Sequence, residues 1–431
     1  MTTAFTTEPA YWSAAQKIAF RFFFIFFLLY IFLNPNDTIP FYGVISNFYI
    51  PLFHQFIPWM AKSILHLSKP VTEFTNGSGD TTYDYLIVLF ITVVSAIGAI
   101  IWSITGKGTR NYNKLLYWLI VVVRFFVAIT MVTYGSLKII KLQFPAASFG
   151  RLLEPVGNMS PMGLAWTYMG YSTGFNYFTG FAELTCALLL FFRKTTTLGA
   201  IVGLVVAANI AAINYSFDVP VKLLSTFLVL MCLFILIRDT RRLINFFFKN
   251  KEAQPSNLTP HRFKARWKNI TLNTIKYLMI FFVLSTNFYQ AIQGSKLYGE
   301  NAKRPPLYGL YNVETFIKNR DTLKPLTTDT IRWSKFWISY VNGASVKLMN
   351  DSVKHYNFMS DTVKHIITAN TYADTLHKFF LTYSIQKPDI LILQGHWEKD
   401  SVYIRLRKMD PNKFLLLKRG FRMINEYPFN R

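Results

Sequence analysis

Seven long apolar stretches, joined by loops of very unequal charge, constrain this chain more than anything else in it. They lie at about 16–34, 83–104, 114–141, 174–193, 196–215, 219–237 and 270–292. An α-helix rises ~1.5 Å per residue, so ~20 mostly apolar residues cross ~30 Å of hydrocarbon. A helix on a water-soluble protein carries one apolar stripe; Tyr85–Trp102 is apolar all round. Three stretches follow one another between Phe175 and Ile237 with almost no loop. The chain is therefore read as a multi-span membrane protein, and its hydrophobic fraction of 52% agrees.

Lys and Arg mark the sides, because short cytoplasmic loops are enriched in them. Lys107, Arg110 and Lys114 follow the second stretch, and Arg193 and Lys194 follow the fourth. After the sixth come Arg238, Arg241, Arg242, Lys249, Lys251, Arg262, Lys264, Arg266 and Lys268. These three loops fall on one side, which is expected to be cytoplasmic. Lys17 and Arg21 at the start of the first stretch add an inside N-terminus, and the C-terminal domain is expected in the periplasm. Residues 44–67 are apolar but carry Pro51, Pro58, His54, Lys62 and His66, and are read as a helix along the outer interface. No small-residue cleavage site follows the first stretch, so it is read as a retained anchor.

The net charge of +24 does not point to nucleic acid. Much of the excess sits in the cytoplasmic loops, where anionic lipid accounts for it, and no nucleic-acid motif accompanies it. Cys186 and Cys232 both fall inside apolar stretches without metal-ligand spacing, and read as small buried hydrophobes.

A polar linker is expected over 294–331, punctuated by Arg304-Pro305-Pro306. From about Arg332 the hydrophobic period changes from 3.6 to 2. Strands are expected at 332–341, 345–350, 353–358, 363–369, 377–386, 389–398, 401–409 and 413–419. Turn residues separate them: Asn342-Gly343, Asn350-Asp351, Ser360-Asp361 and Lys399-Asp400. In Ser401–Arg407, Val402, Ile404 and Leu406 share one face and Tyr403, Arg405 and Arg407 the other. The expected fold is an α-helical membrane region followed by an all-β domain over 332–431, an antiparallel meander closed as a barrel or stacked as a sandwich. His355, His365, His377 and His396 show no ligand spacing, and no metal site is expected.

The residues that could carry chemistry are the polar ones within or beside the apolar stretches. Arg124 lies about ten residues into the third stretch. Glu183 and Asn209 lie at similar depths in the fourth and fifth, where they could meet. Lys138, Asn214, Asp218 and Lys222 lie at the outer ends. Together they could line a polar pocket opening outward. They could equally be a structural network, such as Arg124 with Glu183 and Lys222 with Asp218. Gly170, Gly174, Gly180, Gly199 and Gly203 allow close helix packing.

Several motifs in Arg124–Asp239 resemble the DoxX family of bacterial membrane proteins. They are Arg124, Tyr134-Gly135 and Lys138, then Arg151-Leu152-Leu153-Glu154-Pro155 and Ser160-Pro161-Met162-Gly163. Gly180-Phe181-Ala182-Glu183, Arg193-Lys194-Thr195-Thr196-Thr197-Leu198-Gly199-Ala200 and Asn214–Lys222 complete them. The likeness covers a quarter to a third of the chain. Asn76-Gly77-Ser78-Gly79-Asp80-Thr81 and the segment Arg419–Pro428 are similar to a long subgroup of that family with a periplasmic C-terminal domain. The resemblance implies a four-helix membrane core over 114–238 and a quinone-type ligand. Residues 1–113 would add two spans, 239–269 a basic loop and 270–293 the last span. No haem ligand pair, CxxC or flavin motif is present. The expected function is an accessory or binding subunit of an envelope complex, with a bundle that binds quinone or lipid and a β domain that docks a protein partner. The alternative is a membrane enzyme or transporter acting on an isoprenoid or lipid substrate through Glu183.

Overall fold

The computed structural model describes residues 12–36, 38, 39, 42–74, 76–252 and 263–430. Arg262 of the basic loop lies outside them. The chain divides into two compact units, 1–144 with 161–293, and 145–160 with 294–431.

The first unit is helical. Its elements are α1 (Ala14–Leu33), α2 (Tyr42–Ser63), α3 (Thr82–Thr105) and α4 (Asn113–Ile139). The short α5 (Phe149–Leu153) belongs to the second unit. There follow α6 (Pro161–Tyr171), α7 (Thr173–Phe191), α8 (Thr196–Ser216), α9 (Lys222–Ile237), α10 (Thr240–Phe247) and α11 (Arg266–Tyr298), whose last turns run into the second unit. Six helices are long and apolar enough to cross a membrane, or seven if the bent pair α9 and α10 makes one crossing. The protein is thus a multi-span membrane protein. α4 packs on α7, α7 on α8, α8 on α9 and α9 back on α4, closing a four-helix core. α1 packs on α3 and α4, and α2 on α3. Aromatic rings knit these contacts: Tyr30 meets Phe227 at a centroid distance of 4.1 Å and Phe27 meets Phe234 at 5.0 Å. The helix in the 44–67 region forms with Pro51 and Pro58 inside it and stops at Ser63. α10 is a helix where the sequence reading has only a basic loop.

The second unit is a closed antiparallel barrel. Its strands are β1 (Gly309–Lys318), β2 (Asp321–Thr322), β3 (Trp333–Tyr340), β4 (Gly343–Leu348), β5 (Val353–Asp361), β6 (Ile366–Thr371), β7 (Phe379–Lys387), β8 (Ile390–Trp397) and β9 (Asp400–Met409). β1 and β3 to β9 pair in sequence as eight staves, and β1 closes on β9; β2 only extends the β1 hairpin. Closure removes the free sheet edges. Val402, Ile404 and Leu406 of β9 point into a core that also holds Trp333, Phe336, Tyr356 and Trp397. Asn342 and Asp351 turn with positive φ of 63° and 66°.

Four expectations fail here. The linker over 294–331 contains β1, whose alternation is broken by a bulge between Val313 and Thr315 and by the polar Asn312 and Glu314. Ser360 and Asp361 are strand, and Asp361 accepts the Val363 and Lys364 N–H groups to head the turn that follows. The expected strand at 413–419 is a 3₁₀ turn and the one-turn helix α12 (Leu415–Lys418), because the sheet already closes with β9. Residues 145–160 leave the membrane core for the barrel unit. There Phe149 clusters with Leu310 and Trp337, and the Lys347 ammonium donates to the Leu153 carbonyl at 3.4 Å.

Candidate functional site

The site is built on the contact between α4 and α7. A side chain on Gly180 would bring its Cβ to 2.9 Å from the Gly135 carbonyl and 3.1 Å from the Ile139 nitrogen. A Cβ on Gly135 would lie 3.0 Å from the Gly180 carbonyl. The two backbones therefore touch, as small residues permit between membrane helices. One turn beyond each glycine sit Lys138 and Glu183. Their ammonium and carboxylate meet at 2.5 Å, with side chains only 9% and 1% exposed. The same close approach that excludes side chains at the glycines brings the ion pair together.

The pair is polar within apolar walls. The Lys138 ammonium lies 5.8 Å from the ring centroids of both Tyr134 and Phe144. Phe144 in turn meets Trp166 edge-on at 5.0 Å. Only Oε1 of Glu183 is engaged; the buried Oε2 accepts no hydrogen bond among the described residues. Asn176, two turns before it on α7, donates to the carbonyls of Met169 and Ser172, and its Oδ1 is also buried without a donor. Oε1 of Gln143, beside Phe144, is a third such acceptor.

The other candidates fall elsewhere. Arg124 donates to the Thr196 hydroxyl at 3.1 Å at the start of α8. Fourteen residues separate Arg124 from Lys138, which is ~21 Å along a helix. The expected Arg124–Glu183 pair therefore does not form, and Lys138 takes the role. Depth measured from each helix end misleads here because α4 and α7 do not begin and end at the same level. Asn209 is exposed on α8 and, among the described residues, makes no hydrogen bond to the Glu183 carboxylate. Asn214 is buried and donates to the Val221 carbonyl at 3.3 Å. The Lys222 ammonium binds Asp218 at 2.8 Å, as expected of that pair.

Asp80 is not among the candidates that the sequence singles out, although it lies in the Asn76–Thr81 motif. Its carboxylate accepts the backbone N–H groups of Lys222 at 2.7 Å and Leu223 at 2.9 Å, capping α9 from the loop before α3. Its side chain is 8% exposed and lies 3.9 Å from the Lys222 ammonium. A helix N-terminus favours a carboxylate. No spacing rule could have joined positions 142 residues apart. Among the described residues no three His, Cys, Asp or Glu side chains gather as a metal site.

A protein of Bacillus subtilis (strain 168), the uncharacterized protein YwoB, is 36% identical to this chain over 144 residues. The match takes in 90% of that protein and 33% of this chain. The chain belongs to the YwoB family. The shared part is a third of the chain, so membership in the YwoB family describes that part and leaves the rest of the chain undescribed. No protein-family model matches the chain, and no solved structure does.

Proposed function

We propose that the chain is an inner-membrane accessory or binding subunit of an envelope complex, similar to the DoxX proteins. Its N-terminus is cytoplasmic and its barrel is periplasmic. The helical core binds a quinone-type or lipid ligand, and the barrel docks a protein partner. One observation carries the ligand reading: Glu183 is buried with a cation on one carboxylate oxygen and, among the described residues, no donor on the other. A buried acceptor without a donor is costly, and a ligand hydroxyl or N–H would satisfy it. The aromatic walls around Lys138 suit an apolar ring or chain.

The test is extraction of the full chain in mild detergent and mass spectrometry of what co-purifies. The wild type is expected to retain a quinone or a defined lipid. Glu183→Gln, with unchanged helicity and elution, is expected to lose it. An identical complement in both proteins would overturn the ligand reading.

A further inference from the structure

α9 has 16 residues, so it is ~24 Å long against ~30 Å of hydrocarbon. At its end the chain turns by 79° into α10. A helix nearly perpendicular to a spanning one runs along the membrane surface. The turn is built rather than loose. One Asp239 oxygen accepts the Thr197 hydroxyl at 2.5 Å and Arg238 at 3.1 Å; the other binds Arg242 at 2.9 Å. Thr197 lies in the first turn of α8, so the direction of α10 is referred to the four-helix core.

α10 is also two-sided. Leu243 packs inward on the bundle. Ile244, Phe246, Phe247 and the following Phe248 are 39%, 58%, 62% and 82% exposed. Leu230, Leu233 and Ile237 of α9 are exposed as well. Arg241, Lys249 and Lys251 are exposed and, among the described residues, enter no ion pair. An aromatic edge with cations beside it, at the end of a membrane helix, matches the boundary between acyl chains and anionic head groups.

We propose that α10 is an interfacial helix that seats on anionic lipid. The phenylalanines enter the acyl boundary, and Arg241, Lys249 and Lys251 bind lipid phosphates. Thr197 and Asp239 hold the angle that makes both possible. A protein partner on the same face is the competing occupant. It would leave the face in water in a purified, lipid-only sample.

The test uses the full chain in nanodiscs, with a bimane fluorophore on Phe248→Cys; Cys186 and Cys232 are buried. Nanodiscs contain phosphatidylcholine alone or mixed with phosphatidylglycerol, each with lipid carrying a nitroxide quencher near the head group. Quenching is expected to be stronger with phosphatidylglycerol. The variant Arg241→Gln/Lys249→Gln/Lys251→Gln should abolish that difference, since each cation at an anionic surface contributes a factor of roughly five. None of the three side chains holds the hinge, so folding is not at stake. Equal quenching in both lipids, or access to aqueous iodide with no lipid quenching, would overturn the proposal.

Discussion

The helical bundle and the barrel handle charge in opposite ways. In the bundle, charged side chains are few, and the inner ones are desolvated and tied across helices: Lys138 to Glu183, Asp80 to the start of α9, Asp239 to the α8 turn. In the barrel most lie on the outer surface, and the buried Arg332 donates to the carbonyls of Leu323, Trp333, Val313 and Glu314 rather than to a carboxylate. Glu314 reaches Arg405 and Arg407, Arg407 reaches Asp389, and Lys318 reaches Asp400. The barrel core is aromatic and aliphatic, and its backbone is satisfied by closure. The lesson is that similar distances carry different weights. An ion pair in a dry interior is costly to break from one side, whereas an exposed pair is screened by water and salt.

The sharpest way to break this comparison is to remove one partner of the buried pair. Lys138→Met should cost ~3–5 kcal/mol, because Glu183 is left buried without its counter-charge. Thermal unfolding in detergent should show the loss, and Lys138→Met/Glu183→Leu should recover most of it. A single variant as stable as wild type would mean that the interior is wetter than the geometry implies. Next in size is Gly180→Val, expected to cost ~1–3 kcal/mol by overpacking the α4–α7 contact. It should also weaken the ion pair by spreading the helices, seen as a smaller penalty for Lys138→Met in that background. At the small end, Arg407→Gln on the barrel should carry only a slight cost in thermal unfolding, the least of the three. That cost should shrink further in high salt, whereas the Lys138→Met penalty should not.

The same contrast explains how far the sequence could be read. Apolar length gave the membrane helices to within a few residues, because hydrocarbon thickness sets it directly. Period-2 alternation gave β3 to β9 for the same kind of reason. β1 escaped because its bulge and its polar Asn312 and Glu314 interrupt the alternation, and only its pairing with β3 and β9 reveals it. At the site, residue type identified Glu183 and Lys138 as candidates, but their pairing depends on helix stagger, which no single-helix count contains. The Asp80 cap and the Asp239 hinge are tertiary contacts between distant positions, and each residue alone looks like an ordinary loop aspartate.

The passage of residues 145–160 into the barrel unit has a consequence for counting. Phe149 packs with Leu310 and Trp337, so both stretches of chain lie on one side of the membrane. Between residue 160 and residue 294 the chain must then cross an even number of times. α7, α8 and α11 are long and apolar enough to supply three crossings, and α6, with 11 residues, is too short to supply another. Parity assigns the fourth to α9, the one helix whose length alone left its crossing in doubt.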